Sequence, residues 1–300
     1  MNNKKLFLID AYSIIYQSFY AYIKNPLFTS KGLNTSPIIY FTYFLINILN
    51  NEKPNYMSII FDTSQETFRK KEYDKYKAHR KRTPEAIYIA IPYIKRILKT
   101  FKISFFYAKN GYEADDIIGT IAKKAEKKGY FIYIISLDKD FYQLITKNIK
   151  IYVPPFKRNP KKILGIEEIK NKFGIIHPKQ IIDLWSMMGD PSDNIPGLPG
   201  VGEKNAKKFI KKYGSIENLF NSIHDLNGKI KKNIENNKYL GFLSKKLVTI
   251  VTHIPFFSFQ EEKLYIKKPN WTSIKKIFLE LEFNRLLKMA YQYYIYKIKE

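Results

Sequence analysis

Cysteine is absent from the 300 residues, and histidine occurs only four times. No disulfide framework, thiolate metal site or thiol nucleophile can therefore form, and a reducing, cytoplasmic setting is the expectation. Long apolar runs are missing as well. The longest, Ile38 to Leu49, is interrupted by Thr42 and Asn47 and falls short of the roughly 18 residues of a membrane span. Behind Lys4 and Lys5 only Leu6 to Ile9 are apolar before Asp10, too few for a signal peptide, and no membrane partner is expected. Arginine supplies just six of the 52 basic residues.

What is abundant is lysine, giving a formal net charge of +25. Part of that excess, with the plentiful Ile, Asn, Tyr and Phe, reads as the drift of an AT-rich genome. The remainder favours a polyanionic partner such as nucleic acid. The segment Phe68 to Thr83 (FRKKEYDKYKAHRKRT) concentrates the charge and interleaves tyrosines with it. Basic groups contact phosphates while aromatic rings stack on bases, although a solvated helix face has the same composition.

Apolar strands alternate with amphipathic helices. Strands are predicted at Leu6–Ile9, Met57–Phe61, Ser104–Ala108, Tyr130–Ser136 and Lys150–Val153. Helices are predicted at Tyr12–Tyr22, Pro37–Leu49 with Ser36 as N-cap, Glu85–Phe101 and Glu113–Lys128. This alternation predicts an α/β fold, a doubly wound, mostly parallel sheet, over residues 1–160. Asp10, Asp62, Glu113/Asp115/Asp116 and Asp138/Asp140 all follow strands directly, so they would line the crevice beyond the strands' carboxyl ends. Within the third group, Glu113 and Asp116 share a helix face and Asp115 projects elsewhere. Asp115 is the expected direct metal ligand, and Asp116 the one acting through water.

After a Pro-rich, basic break at Pro154–Pro160, residues 161–300 read as helical. A helix at Pro178–Met188 ends near Asp190 and Asp193. Gly200-Val201-Gly202 then opens a basic helix at Asn205–Tyr213, with Lys204 at its start. Such a turn presents backbone N–H groups to a phosphate and predicts a clamp on the DNA backbone, indifferent to sequence. So many carboxylates in one crevice need cations, because neighbouring like charges raise each other's pKa. Oxygen-only donors favour Mg²⁺ or Mn²⁺ over zinc. Two such ions beside a DNA clamp point to phosphodiester hydrolysis.

Five segments, in order, extend this reading: Leu8-Ile9-Asp10, Phe61–Arg80 (FDTSQETFRKKEYDKYKAHR), Gly111–Thr120 (GYEADDIIGT), Leu137–Leu144 (LDKDFYQL) and Gly189–Ala206 (GDPSDNIPGLPGVGEKNA). With them the chain, up to about Met289, resembles the 5′-3′ exonuclease domain of bacterial DNA polymerase I, in the flap endonuclease family. The resemblance implies a PIN-like core with a basic helical gateway at about 65–100 and a helix-hairpin-helix motif at about 185–215. It implies a structure-specific 5′ nuclease acting on duplex DNA with a 5′ flap, nick or RNA primer, in replication and repair, and a monomer is expected. All nine acids fall on positions of the family's metal-site carboxylates. Arg69 and Lys77 match residues reaching the scissile phosphate, and Arg80 a 5′-end contact. Tyr16 and Tyr76 match aromatics that stack near the displaced nucleotide. The Gly200–Gly202 turn matches the duplex-binding hairpin, where carbonyls can hold K⁺. Pro191 and Asn205 depart from the commoner residues without removing a ligand, and no polymerase or proofreading module follows, so a stand-alone nuclease is the expectation. Two rivals remain: a PIN-like ribonuclease, and a DNA-binding protein without catalysis.

Overall fold

A computed structural model of the protein describes residues 4–156, 159–255 and 257–299; residues 157 and 158, within the expected break, lie outside it. Six strands, β1 (Lys5–Asp10), β2 (Tyr56–Phe61), β3 (Ser104–Tyr107), β4 (Phe131–Ile135), β5 (Ile149–Val153) and β6 (Lys162–Leu164), form one sheet in the order β3-β2-β1-β4-β5-β6. The first five are parallel, as expected, and β6 joins β5 antiparallel. The sequence reading missed β6, which is three residues long and carries two lysine-flanked apolar positions too short to show a period. Its presence means that the stretch expected to begin a separate helical unit at 161 first completes the sheet.

The helices are α1 (Ala11–Ala21), α2 (Ser36–Asn51), α3 (Phe68–Glu72), α4 (Glu85–Thr100), α5 (Ala114–Lys127), α6 (Ile166–Phe173), α7 (Gln180–Met188), α8 (Glu203–Tyr213), α9 (Ile216–Asn221), α10 (Gly228–Asn236), α11 (Lys238–Val248), α12 (Glu261–Leu264), α13 (Trp271–Glu280) and α14 (Asn284–Lys299). Ser36, expected to cap α2, is its first residue instead, and its Oγ accepts the Leu27 N–H at 2.8 Å while Thr35 occupies the cap position. The stretch expected as a helical gateway, about 65–100, holds two helices, α3 and α4. Residues 73–83 are turns and coil leading to Pro84 and α4.

β1 is central and apolar on both faces, the pattern of a buried parallel strand. Its alternation separates two cores. Leu6 and Leu8 pack with Ile117, Ile121, Leu184 and Ile210, beneath α5, α7 and α8. Phe7 and Ile9 pack with Phe41, Leu45, Ile94, Phe278 and Tyr293. The second core therefore joins the beginning of the chain to its last two helices. Phe101 lies 6.2 Å from Phe278 and 6.1 Å from Tyr293, ring centre to ring centre.

The chain lays down β1, β2 and β3 in one direction and then crosses to place β4 on the other side of β1. That reversal opens a crevice between the carboxyl ends of β1 and β4, where open α/β sheets bind ligands.

Candidate active site

Asp10 ends β1, Asp62 follows β2, Asp115 lies in the first turn of α5, and Asp138 follows β4. These four line one crevice of about 750 Å³ together with Tyr12, Tyr16, Tyr20, Lys77 and Arg80. Local bonding orients them. Asp10 caps α1 by accepting the Ser13 N–H at 3.3 Å, and its other oxygen accepts from Ser136 Oγ at 2.9 Å. Asp62 accepts from the Ala114 N–H at 3.2 Å, tying β2 to the start of α5. Asp138 accepts the Asp140 N–H at 2.8 Å at the head of a 3-10 turn, Lys139–Leu144.

Burial in the crevice pushes the Asp10 carboxyl up to about 7, with the charges of Asp138 and Asp62 adding to the shift. Burial likewise raises Asp62, where Glu113 is the repelling neighbour. Asp115 is held well above the usual carboxylate range by burial and by Asp138 and Asp10. Asp140 is raised by burial and by Asp138, Asp193 and Asp190, and its Oδ1 is buried without a hydrogen-bond donor. Asp138 is raised too, by burial and by Asp193.

The other acids have cationic partners. Glu113 receives Lys77 Nζ at 3.1 Å, Tyr76 Oη at 3.1 Å and Arg69 Nη1 at 3.4 Å. Burial alone would raise it, but Lys77 and Arg69 hold it below its ordinary value. Asp190 binds Ser192 and Lys139, the latter at 3.2 Å, and these outweigh burial and lower its pKa. Asp193 pairs with Arg80 and lies 3.8 Å from Lys77 Nζ.

Asp116, expected to act through water, is held by protein groups. It is 0% exposed, grips Arg69 through two 2.8 Å bonds, accepts the Val251 N–H at 2.8 Å and caps the Glu113 N–H at 3.0 Å. Arg69, 2% exposed, spends its remaining donors on the carbonyls of Leu247 and Thr249 at the end of α11. It locks α3, α5 and α11 together and does not face the crevice as a phosphate contact would. Tyr76 is 5% exposed, its hydroxyl on Glu113, so its ring has no free stacking face. Tyr16 is half-buried between Tyr12 and Tyr20, each 6.2 Å away between ring centres, and its hydroxyl donates to Thr83 Oγ1 at 3.0 Å.

Residues 189–202 form the expected hairpin. The steric need for glycine sits at positions the sequence reading did not single out: a Cβ on Gly189 would meet Ile195 O at 2.5 Å, and one on Gly197 would meet Gly189 N at 2.4 Å. Gly200 has φ +82°, a conformation that favours glycine, whereas Gly202 is extended with open space around it and serves as N-cap of α8. Lys204 is exposed in that helix's first turn.

Residues 5–174 match the family described as 5'-3' exonuclease, N-terminal resolvase-like domain, and residues 176–272 match its C-terminal SAM fold. The chain belongs to the 5'-3' exonuclease family.

Among its relatives, the 5'-3' exonuclease of Aquifex aeolicus is 36% identical over 285 residues, covering 95% of this chain and 94% of the relative. DNA polymerase I of Bacillus subtilis is 39% identical over 287 residues, 95% of this chain but 32% of the relative. The chain thus spans about a third of the length of its polymerase relatives. In fold this exonuclease-family chain is similar to T5 5'-exonuclease with bound zinc ions (TM-score 0.68, 20% identity, 96% of this chain and 100% of that one). It is also similar to the catalytic core of Rad2 with DNA substrate (TM-score 0.64, 17% identity, 95% and 91%).

Sequence reasoning had also passed over Lys139, Ser136 and the tyrosines flanking Tyr16. Lys139 stands between two of the acids and could have been noticed. Tyr12 and Tyr20, four residues to either side of Tyr16, were visible as one helix face. Ser136 offered no signal, since its role depends on β4 lying beside β1.

Proposed function

We propose that the protein hydrolyses phosphodiester bonds at the 5′ side of DNA structures, as a structure-specific 5′-3′ exonuclease and flap endonuclease. Its substrates on this reading are duplexes carrying a 5′ flap, a nick or an RNA primer, handled by a monomer in replication and repair. The observation that carries the reading is the position of Asp138. Its charge raises Asp10, Asp115 and Asp140, and Asp193 in turn raises it. Carboxylates that repel one another around one crevice call for divalent cations to offset their charge.

The donors suit Mg²⁺ or Mn²⁺: they are carboxylate oxygens, and one of them, Asp140 Oδ1, is buried with no hydrogen bond. Among the described residues no three such side chains converge tightly enough to hold an ion by themselves. Mg²⁺ does not require that, because it keeps several waters and is bound through one or two carboxylates. Divalent ions held by these acids would supply an activated water and offset the charge on the entering and leaving oxygens. Asp10, Asp62, Asp115, Asp138 and Asp140 are the residues that would hold them, with Glu113, Asp190 and Asp193 joining as their lysine and arginine partners turn to the substrate.

The chain's own cations then have defined tasks. Lys77 Nζ and the Arg80 guanidinium stand at the crevice, within reach of a phosphate that replaces Glu113 and Asp193 as their partner. Tyr16 offers a partly exposed ring to an unpaired base. Tyr76 fixes Glu113 and Arg69 fixes α5, in place of the contacts with DNA that the resemblance implied. The Gly200–Lys204 turn and the N-terminus of α8 hold the duplex by its phosphates. A K⁺ ion there would share the Leu198 and Pro199 carbonyls, which already accept from the Val201 N–H and Asn233.

The test is cleavage of a 5′-labelled flap duplex in Mg²⁺ and in EDTA, beside Asp115→Ala and Asp138→Ala. Wild type should cut only with the metal, and both variants should be nearly inactive. Equal cutting by all three, or indifference to EDTA, overturns the reading. Cleavage of single-stranded RNA without preference for a duplex junction would support the ribonuclease instead.

A further inference from the structure

The hairpin is not held by its own helices alone, and what holds it carries charge of its own. Pro199 and Gly200 are exposed at its tip, and the Pro199 carbonyl accepts a hydrogen bond from Asn233 Nδ2 at 3.3 Å. Contact is close enough that a Cβ on Gly200 would meet that same Nδ2 at 3.0 Å. Asn233 belongs to α10, in the part of the chain to which the sequence reading gave no role.

Building on the reading of the hairpin as the duplex-binding element, we propose that α10 is a second arm of the same DNA surface: Asn233 positions the hairpin, and Lys229 and Lys232 contact neighbouring backbone phosphates. The rotation of α10 is set by Ile234, fully buried, and Ile230, packed against the core. At about 100° per residue, Lys229, Lys232, Asn233 and Asn236 then fall within one sector of about 100°, on the side away from Ile230 and Ile234. Lys229, Lys232 and Asn236 are exposed. Neither lysine has an ion-pair partner among the described residues, and the one acid of α10, Glu235, lies outside the sector. A polar, uncompensated cationic face continuous with an exposed backbone turn suits a phosphate backbone, which needs point charges beside N–H donors and no sequence-specific contact. Lys204 and Lys208 give the same exposed charge on α8, immediately after the hairpin.

The whole chain is titrated with a labelled blunt duplex in EDTA across a range of salt concentrations. Lys229→Ala/Lys232→Ala should weaken binding and make the slope of log affinity against log salt shallower by about 2. Lys229→Arg/Lys232→Arg should restore the slope. Asn233→Ala should weaken binding several-fold with the slope unchanged, because it displaces the hairpin without removing a charge. Lys231→Ala, which removes an equal charge from the opposite side of α10, should change neither. A wild-type slope in the double alanine variant, or an equal change in Lys231→Ala, overturns the proposal. Binding in EDTA is independent of cleavage, so an inactive wild type that still binds duplex would sink the catalytic reading and leave this one standing. A wild type that does not bind duplex would overturn both the hairpin's role and that of α10.

Discussion

The acids on the floor of the crevice and those in its wall are the same kinds of side chain in opposite electrostatic states. Asp10, Asp62, Asp115, Asp138 and Asp140 are half-buried, have no cation in contact, and are all pushed above the usual carboxylate range. Glu113, Asp116, Asp190 and Asp193 are sealed from solvent, and each has a lysine or arginine against it. The protein neutralises the buried carboxylates with its own cations. It leaves uncompensated Asp10, Asp62, Asp115 and Asp138, which line the crevice, where an external cation can do the same work, and Asp140, two residues after Asp138 in the chain. A structural acid and a functional acid are therefore told apart by their partner and not by their depth alone.

The largest test of that distinction is Asp116→Ala. It leaves Arg69 buried without its carboxylate, and thermal or urea unfolding should show a loss of about 3–5 kcal/mol. Asp115→Ala, one residue away, should instead lower single-turnover cleavage at least about a hundredfold, while the melting temperature holds or rises. If Asp115→Ala unfolds the protein and Asp116→Ala merely inactivates it, the division between floor and wall is wrong.

Proton linkage sharpens the comparison, because Asp10 and Glu113 are shifted in opposite directions. Asp10 has a folded-state pKa of about 7 against 3.8 for the free side chain, so the folded protein binds that proton more tightly. Its ionisation costs stability progressively as pH rises from about 4 to about 7, and the cost is fully present above that window. Glu113, lowered below 4.5, contributes stability above that pH and loses it as pH falls through its folded value. In EDTA the melting temperature should rise as pH is lowered from 8 toward 5, then fall in more acid solution. Asp10→Asn should flatten the first limb, and Mg²⁺ at pH 8 should raise the melting temperature of wild type more than that of the variant. A wild type whose stability in EDTA increases steadily from pH 5 to pH 8 would contradict this assignment.

The smallest effect is expected from moving acids between the groups. Lys77→Ala strips Glu113 of its nearest cation and leaves Asp193 to Arg80. Mn²⁺ binding without DNA, followed by electron paramagnetic resonance, should tighten a few-fold, while single-turnover cleavage falls more than duplex affinity. Unchanged Mn²⁺ binding would mean that Lys77 does not compete with the ions.

Much of this architecture was legible beforehand. Five parallel strands, the helices between them and the acids at the strand ends follow from apolar periodicity and the placement of aspartate, because both are local properties of the chain. Even the split between Asp115 and Asp116 could be anticipated from helical spacing, though not the role of Asp116, whose partner Arg69 lies 47 residues earlier. β6 and the closure of the second core by α13 and α14 were missed for the same reason: a short strand and an amphipathic helix do not state which surface they will cover. Arg69, Tyr76 and Lys77 illustrate the limit most clearly. They lie within nine residues in a segment of uniform basic and aromatic composition, yet one is a buried clamp, one a buried hydrogen-bond donor and one a partly exposed cation at the crevice.

By itself, then, the sequence determined that carboxylates would gather at one edge of a parallel sheet and that a glycine hairpin would follow them, since strand direction and turn conformation are encoded within a few residues. Only the tertiary structure decided which of those carboxylates have no cation against them. That depends on cations brought in from distant elements, and on whether the space beside each acid is sealed by protein or open to solvent, neither of which has a local signature in the chain.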